Sequence, residues 1–171
     1  MEKVIFKLKN TEENQEKLLQ YLETIDSEFV IPLSEKVKLS DYAKKILSQG
    51  IVLATLSNGE ISSMLGAYCN DMVNRVSYVP ILTISKQAQT AGFHTRDYLR
   101  PLIELLYEAG MEKFYCQTAN RTVAAIYKRL GFTVLYQDEI NGVPHWHLEM
   151  GNFKNWLISH KDEHKITVLE I

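Results

Sequence analysis

The stretch Arg75–Arg100, "RVSYVPILTISKQAQTAGFHTRDYLR", decides the fold. Arg75 to Ser85 reads as a β-strand, rich in Val, Tyr, Ile and Thr. A short loop with one glycine follows, "QTAGFHT", Gln89 to Thr95. Leu99, Leu102, Ile103 and Leu106 then recur at helical spacing, and Gly110 stops the run. "KFYCQT", Lys113 to Thr118, is a second strand. Strand, helix and strand in that order imply one parallel crossover. Two prolines carry local expectations. Pro80 cannot donate to a ladder, so it needs a bulge or an unpaired edge. Pro101 lies inside the helix pattern, removes an intrahelical bond and predicts a kink or local bulge. The junction of loop and helix also has the geometry of an anion site, because first-turn amides lack helical partners. Neither the Gly-Lys-Ser/Thr loop nor the Gly-x-Gly-x-x-Gly fingerprint is present. Taken alone, the loop reads as a turn as readily as a phosphate cradle.

The flanking sequence is mostly hairpins. "IVLATL" and "ISSMLGAYC" are strands joined by an Asn-Gly turn, and "NDMVN" turns the chain into the strand at Arg75. Upstream, "KVIFKLK" alternates, with Val4, Phe6 and Leu8 on one side and the lysines and Ile5 on the other, as a half-buried strand does. Thr11 caps a helix striped by Leu18, Leu19, Leu22 and Ile25. Ser40 caps a second helix that stops at Gly50. Downstream, "NRTVAAIYKRLG" is a helix with Asn120 as cap and Gly131 as stop. "FTVLYQDEI" and "VPHWHLEM" form a further Asn-Gly hairpin. The order β-α-α-β-β-β-α-β-α-β-β predicts an α+β (mixed α/β) fold with helices on both faces of a twisted sheet.

The chain of 171 residues suits one domain. A net charge of −2 argues against a general nucleic-acid binder. Two cysteines, Cys69 and Cys116, make neither a disulfide framework nor a metal cluster, so a reduced, cytoplasmic setting is expected. No stretch is long and apolar enough for a signal peptide or a membrane span.

Two blocks in this order carry a resemblance. "NRTVAAIYKRLGF" places Asn120 at a helix start, Tyr127 two turns along the same face, and Gly131-Phe132 at the end. "QTAGFHT" precedes it by one helix and one strand. Together they resemble the GNAT superfamily of N-acetyltransferases, over roughly residues 3–150. That family's loop reads Gln/Arg-x-x-Gly-x-Gly/Ala; here His94 stands at the last position. "FVIPLSEKVKLSDYAKKI" further resembles a subgroup often linked to surface-sugar biosynthesis.

The resemblance implies a GNAT-like fold: a mostly antiparallel sheet of six or seven strands with one splayed parallel pair. Residues 1–150 would form the acetyltransferase domain, and 151–171 an extension packed on that domain or in a dimer contact. It implies acetyl-CoA as cosubstrate and a small primary amine as acceptor, an amino sugar among the candidates. Leu82, Thr83 and Ile84 would pair with the pantetheine arm. Gln89, Thr90, Ala91, Gly92, Phe93, His94 and Thr95 would wrap the pyrophosphate. Asn120 would contact the arm, and the Tyr127 hydroxyl would protonate the leaving thiolate. The alternative is a non-catalytic module that binds CoA or a protein partner.

The general base is open. The strand at Arg75 has no Glu or Asp, although Tyr78 could act through water, and Asn70 and Asp71 lie near its turn. His145 and His147 share one face of a strand and could serve as base, as metal ligands or as packing; with no third ligand nearby, no metal is expected. Glu28 and Glu35 flank a loop that borders the acceptor pocket in the family. Buried, unreactive thiols are the default for both cysteines.

Overall fold

The computed structural model describes residues 3–163 and 166–171. Eight strands among them form one sheet in the order β6-β7-β5-β4-β3-β2-β1-β8. Its strands are β1 (Val4–Lys7), β2 (Gly50–Ser57), β3 (Glu60–Asp71), β4 (Val76–Ile84), β5 (Lys113–Thr118), β6 (Thr133–Ile140), β7 (Val143–Gly151) and β8 (Thr167–Glu170). The helices are α1 (Glu12–Ile25), α2 (Leu39–Gln49), α3 (Lys86–Thr90), α4 (Thr95–Glu108), α5 (Arg121–Arg129) and α6 (Phe153–Ser159). Successive side chains of a strand point to opposite faces, and this sheet is covered on both. Leu53, Leu65 and Val79 pack with Tyr98 of α4, Tyr127 of α5 and Phe153 of α6. Val52, Ala54, Met64 and Ile81 pack with Leu18 and Leu22 of α1 and Ile46 of α2.

The turns form as their residues require. Asn58-Gly59 and Asn141-Gly142 all have positive φ, near 53° and 80° in the first turn, which matches the twist of a two-residue hairpin. Thr11 accepts the Asn14 N–H and caps α1. Asn120 Oδ1 accepts the Thr122 and Val123 N–H groups at 2.9 and 3.1 Å and caps α5. Gly131 follows α5 at φ +104°, where a side chain would be strained.

Several expectations are corrected. The sheet has eight strands rather than six or seven, and two parallel pairs rather than one: β4–β5 and β1–β8. The second pair arises because the C-terminal segment returns to the outer edge of β1, with Val4 opposite Thr167 and Lys7 opposite Glu170. β1 is packed on both faces, and Phe6 lies against the core under α1 and α2. Ile5, grouped above with the lysines, is fully buried in the α4-side core. Ser40 does not cap α2, which begins a residue earlier at Leu39, with Lys38 at the cap position and no side-chain cap bond. Pro101 sits within α4, which stays α-helical from Thr95 to Glu108 without a bulge. The cost falls on the Asp97 carbonyl, which loses its i+4 donor.

Pro80 behaves as its chemistry demands. On the β3 side, Gly66 pairs with Ile81 and Tyr68 with Tyr78, so two β4 residues, Val79 and Pro80, face the single Ala67. That is a β-bulge. On the other side, β4 pairs with β5 only from Val76–Lys113 to Val79–Cys116. The ladder ends one residue before the proline.

Candidate functional site

Beyond Val79 and Cys116 the central strands part company. β4 runs on to Ile84 along β3, while Gln117 and Thr118 of β5 pair only with His147 and Trp146 of β7. The β5-facing edge of Leu82, Thr83 and Ile84 therefore has no strand partner. A cavity of about 600 Å³ opens at this fork. Leu82 and Thr83 line one wall and Cys116 to Asn120 the other, with Tyr127 and His145 between them. The connection between α1 and α2 closes the outer side through Phe29, Ile31 and Lys36.

Tyr127 projects from the face of α5 that meets the sheet. Its ring stacks on Phe132, with centroids 4.9 Å apart, and only 8% of the residue is exposed. Its hydroxyl has no hydrogen-bond partner among the described residues. Burial, with Cys116 nearby, pushes its pKa well above the usual tyrosine value, so the group keeps its proton at any working pH. A buried phenol that stays protonated and has no internal acceptor can donate a hydrogen bond to a group placed in the cavity.

Asn120 plays two parts. Its Oδ1 is committed to the helix cap, while its Nδ2 is free and the residue lines the cavity. Thr118 Oγ1 accepts the Asn120 N–H at 3.1 Å and holds the turn from β5 into α5.

The segment Gln89–Thr95 departs from the expected loop. Its first two residues belong to α3, one short helical stretch capped by Ser85, whose hydroxyl accepts the Ala88 N–H. Gln89 turns its side chain back onto the Ile84 carbonyl at 3.0 Å. The amides of Ala91, Gly92 and Phe93 donate to the carbonyls of Gln87, Gln89 and Ala88. The His94 N–H donates to the Asp97 carboxylate, which also pairs with Lys3 at 3.1 Å. None of the seven residues lines the cavity. The first amides without a partner are those of Thr95 and Arg96, at the start of α4. Among the described residues, the Arg96 guanidinium is likewise exposed and unpaired. Sequence reading passed over Arg96, although an arginine in the first turn, against the helix dipole, is the kind of residue that signals an anion.

Of the other residues weighed, His145 and His147 share the face opposite Trp146 and Leu148. His147 is held by the Tyr115 hydroxyl at Nδ1 and by Asp138 at Nε2, 2.8 Å away, and stacks on Tyr136. Its ring is fully used. His145 lines the cavity; His147 does not. No group of three metal-ligating side chains occurs among the described residues. Burial pushes the Cys116 thiol up to about 12, which makes it a poor nucleophile. Glu28 lines the cavity together with Asp41, Lys36 and Lys45; Glu35, Asn70 and Asp71 do not. Tyr78 lines it, stacked between Tyr68 and Tyr115.

A mixed sheet whose central parallel pair forks over a cavity, with helices on both faces, is the fold of the GNAT acetyltransferases. Aminoglycoside 6'-acetyltransferase type Ii superposes with a TM-score of 0.67 at 13% identity, covering 86% of this chain and 96% of that one. A probable acetyltransferase from Staphylococcus epidermidis gives 0.68 at 13% identity, covering 86% and 98%. An aminoglycoside 6'-N-acetyltransferase complexed with coenzyme A gives 0.64 at 12% identity, covering 83% and 92%. No family model matches the sequence, and neither does any curated protein. Among the described residues, no helix is long and apolar enough to cross a membrane.

Proposed function

We propose that the protein is an acetyl-CoA-dependent N-acetyltransferase that moves an acetyl group directly to a primary amine. The observation that carries this reading is the fork at Val79–Cys116. A strand edge without a partner, opening on a cavity with a free amide donor and a protonated phenol, suits a thioester on an extended arm. The pantetheine arm has amide groups that can pair with the open edge of Leu82 to Ile84 as a short strand would. Asn120 Nδ2 adds a donor on the opposite wall. A main-chain N–H on that β4 edge can stabilise the oxyanion. Tyr127 gives its proton to the thiolate sulfur as the C–S bond breaks. Alignment of the two substrates in one cavity supplies much of the remaining acceleration. Thr95, Arg96 and the N-terminal end of α4 would take the pyrophosphate.

The test is thiol release from acetyl-CoA across a panel of primary amines, amino sugars included. Saturable release with at least one amine is expected, and Tyr127→Phe should lower kcat by about 100-fold with acetyl-CoA affinity unchanged. One observation favours the second reading, a binding module without turnover. The amides of Ala91 to His94 are spent internally, which leaves a smaller phosphate cradle than an intact loop would give. Tight acetyl-CoA binding with no release to any amine would select that reading.

A further inference from the structure

We propose that His145 is the general base that takes the amine proton; this rests on the acetyltransferase reading above. His145 Nδ1 lies 2.9 Å from the Val143 carbonyl oxygen. A carbonyl only accepts, so Nδ1 carries the ring proton, and in the neutral imidazole Nε2 holds a lone pair. Nε2 has no partner among the described residues. His145 is only 3% exposed, yet among the described residues Tyr42 Oη is the one polar side-chain atom sealed from solvent without a partner. So Nε2 opens onto the cavity that the ring lines. By the same argument Tyr127 Oη opens there too.

The two groups come from opposite faces of the sheet. Tyr127 belongs to the core under α4 and α5, with Cys116, Trp146 and Leu148. Strand alternation turns His145 to the other face, where the α1–α2 connection walls the cavity. A thioester lying in the fork would meet the acid from one side and the amine, with its base, from the other. The neutral amine nitrogen forms its bond to the acetyl carbon and gives up a proton to His145 Nε2. The C–S bond breaks with its electron pair on sulfur, and Tyr127 protonates the sulfur. The imidazolium proton returns to the phenolate through water, so the net transfer is one proton from nitrogen to sulfur.

The surroundings leave the ring free to cycle. Its register partner on β6, Asp138, is engaged by His147 on the same strand. Burial holds Cys116 and Tyr115 of β5 and Tyr127 of α5 in their neutral forms. Across the cavity, Glu28 and Asp41 are balanced by Lys36 and Lys45.

The experiment compares wild type with His145→Asn, whose amide can still donate to Val143 O, using the best acceptor from the amine panel. The variant should keep its melting temperature and acetyl-CoA affinity and lose about 100-fold in kcat/KM at the optimum. The wild-type to variant ratio should shrink toward one at acid pH, where a protonated base no longer has a lone pair to offer; the ratio cancels titration of the amine itself. Added imidazole should restore part of the activity of His145→Gly. A ratio that does not change with pH, with no imidazole rescue, overturns the assignment while the acetyltransferase reading stands. Absence of transfer by the wild type overturns both.

Discussion

The Asp97 carboxylate accepts the main-chain N–H of His94 at 2.8 Å. This bond occupies one of the amides of the Gln89–Thr95 segment that the resemblance assigns to the pyrophosphate, and sets a negative charge beside the start of α4. Lys3 balances that charge at 3.1 Å. Among the described residues, the amides of Thr95 and Arg96 and the Arg96 guanidinium keep no partner, and the proposed function gives them the pyrophosphate. Arg96→Ala should therefore weaken acetyl-CoA binding about tenfold, or about 1.4 kcal/mol. Acetyl-pantetheine, which lacks the pyrophosphate, should bind both proteins equally. Calorimetric titration of the two ligands checks this.

Asn120 caps α5 and, in the proposed function, also donates to the cofactor arm. Asn120→Ala removes the acceptor for Thr122 and Val123 and should cost about 1 kcal/mol of stability. Asn120→Asp keeps that acceptor and should melt near wild type. Both lose the amide donor, so both should bind acetyl-CoA more weakly. Thermal melts beside titrations read the two effects independently.

Cys116 lines the cavity, and an acetylated cysteine would be the intermediate of a two-step route. With its pKa pushed up to about 12, roughly one thiol in ten thousand is ionised at pH 8. Intact-mass analysis after incubation with acetyl-CoA alone should show no acetyl adduct on Cys116, and Cys116→Ser should retain transfer. An adduct that disappears on adding amine would refute direct attack.

The buried tyrosines set an alkaline limit. Tyr21 is pushed up to about 12 by burial, and Tyr42, Tyr98 and Tyr127 are raised too, against 10.0 for an ordinary tyrosine. Above pH 10 the unfolded chain releases protons that the folded protein keeps. The folded state then binds more protons, so stability falls as pH rises. The urea midpoint should hold steady below about pH 10 and drop through pH 10–12. A midpoint that stays level to pH 12 would mean these hydroxyls are not buried as described.

Local signals explain what was legible. Both Asn-Gly turns, the Thr11 and Asn120 caps and the bulge forced by Pro80 depend on residues within a few positions of one another, and each was readable. The β1–β8 pair joins Val4 to Thr167, and no periodicity names so distant a partner. Ile5 faces the core under α4 while Phe6 packs on the side of α1 and α2, so the alternation of β1 does not mark a solvent face. Lys38 rather than Ser40 stands at the cap of α2, whose first residue, Leu39, packs against the core beneath the helix. Helical spacing puts Tyr127 two turns from Asn120 on α5, and both line the cavity. Arg96 has no motif around it, and its exposed, unpaired state depends on the fold at the start of α4. The free lone pair of His145 depends on its bond to Val143, which spacing alone does not show.

The central claim is that the fork beyond Val79 and Cys116 takes the arm of acetyl-CoA. Calorimetric titration of acetyl-CoA into the purified protein tests it most directly. Saturable binding at one ligand per chain, weakened by both Asn120→Asp and Arg96→Ala, is the predicted result. No heat of binding up to millimolar ligand, with the protein shown to be folded, would contradict it.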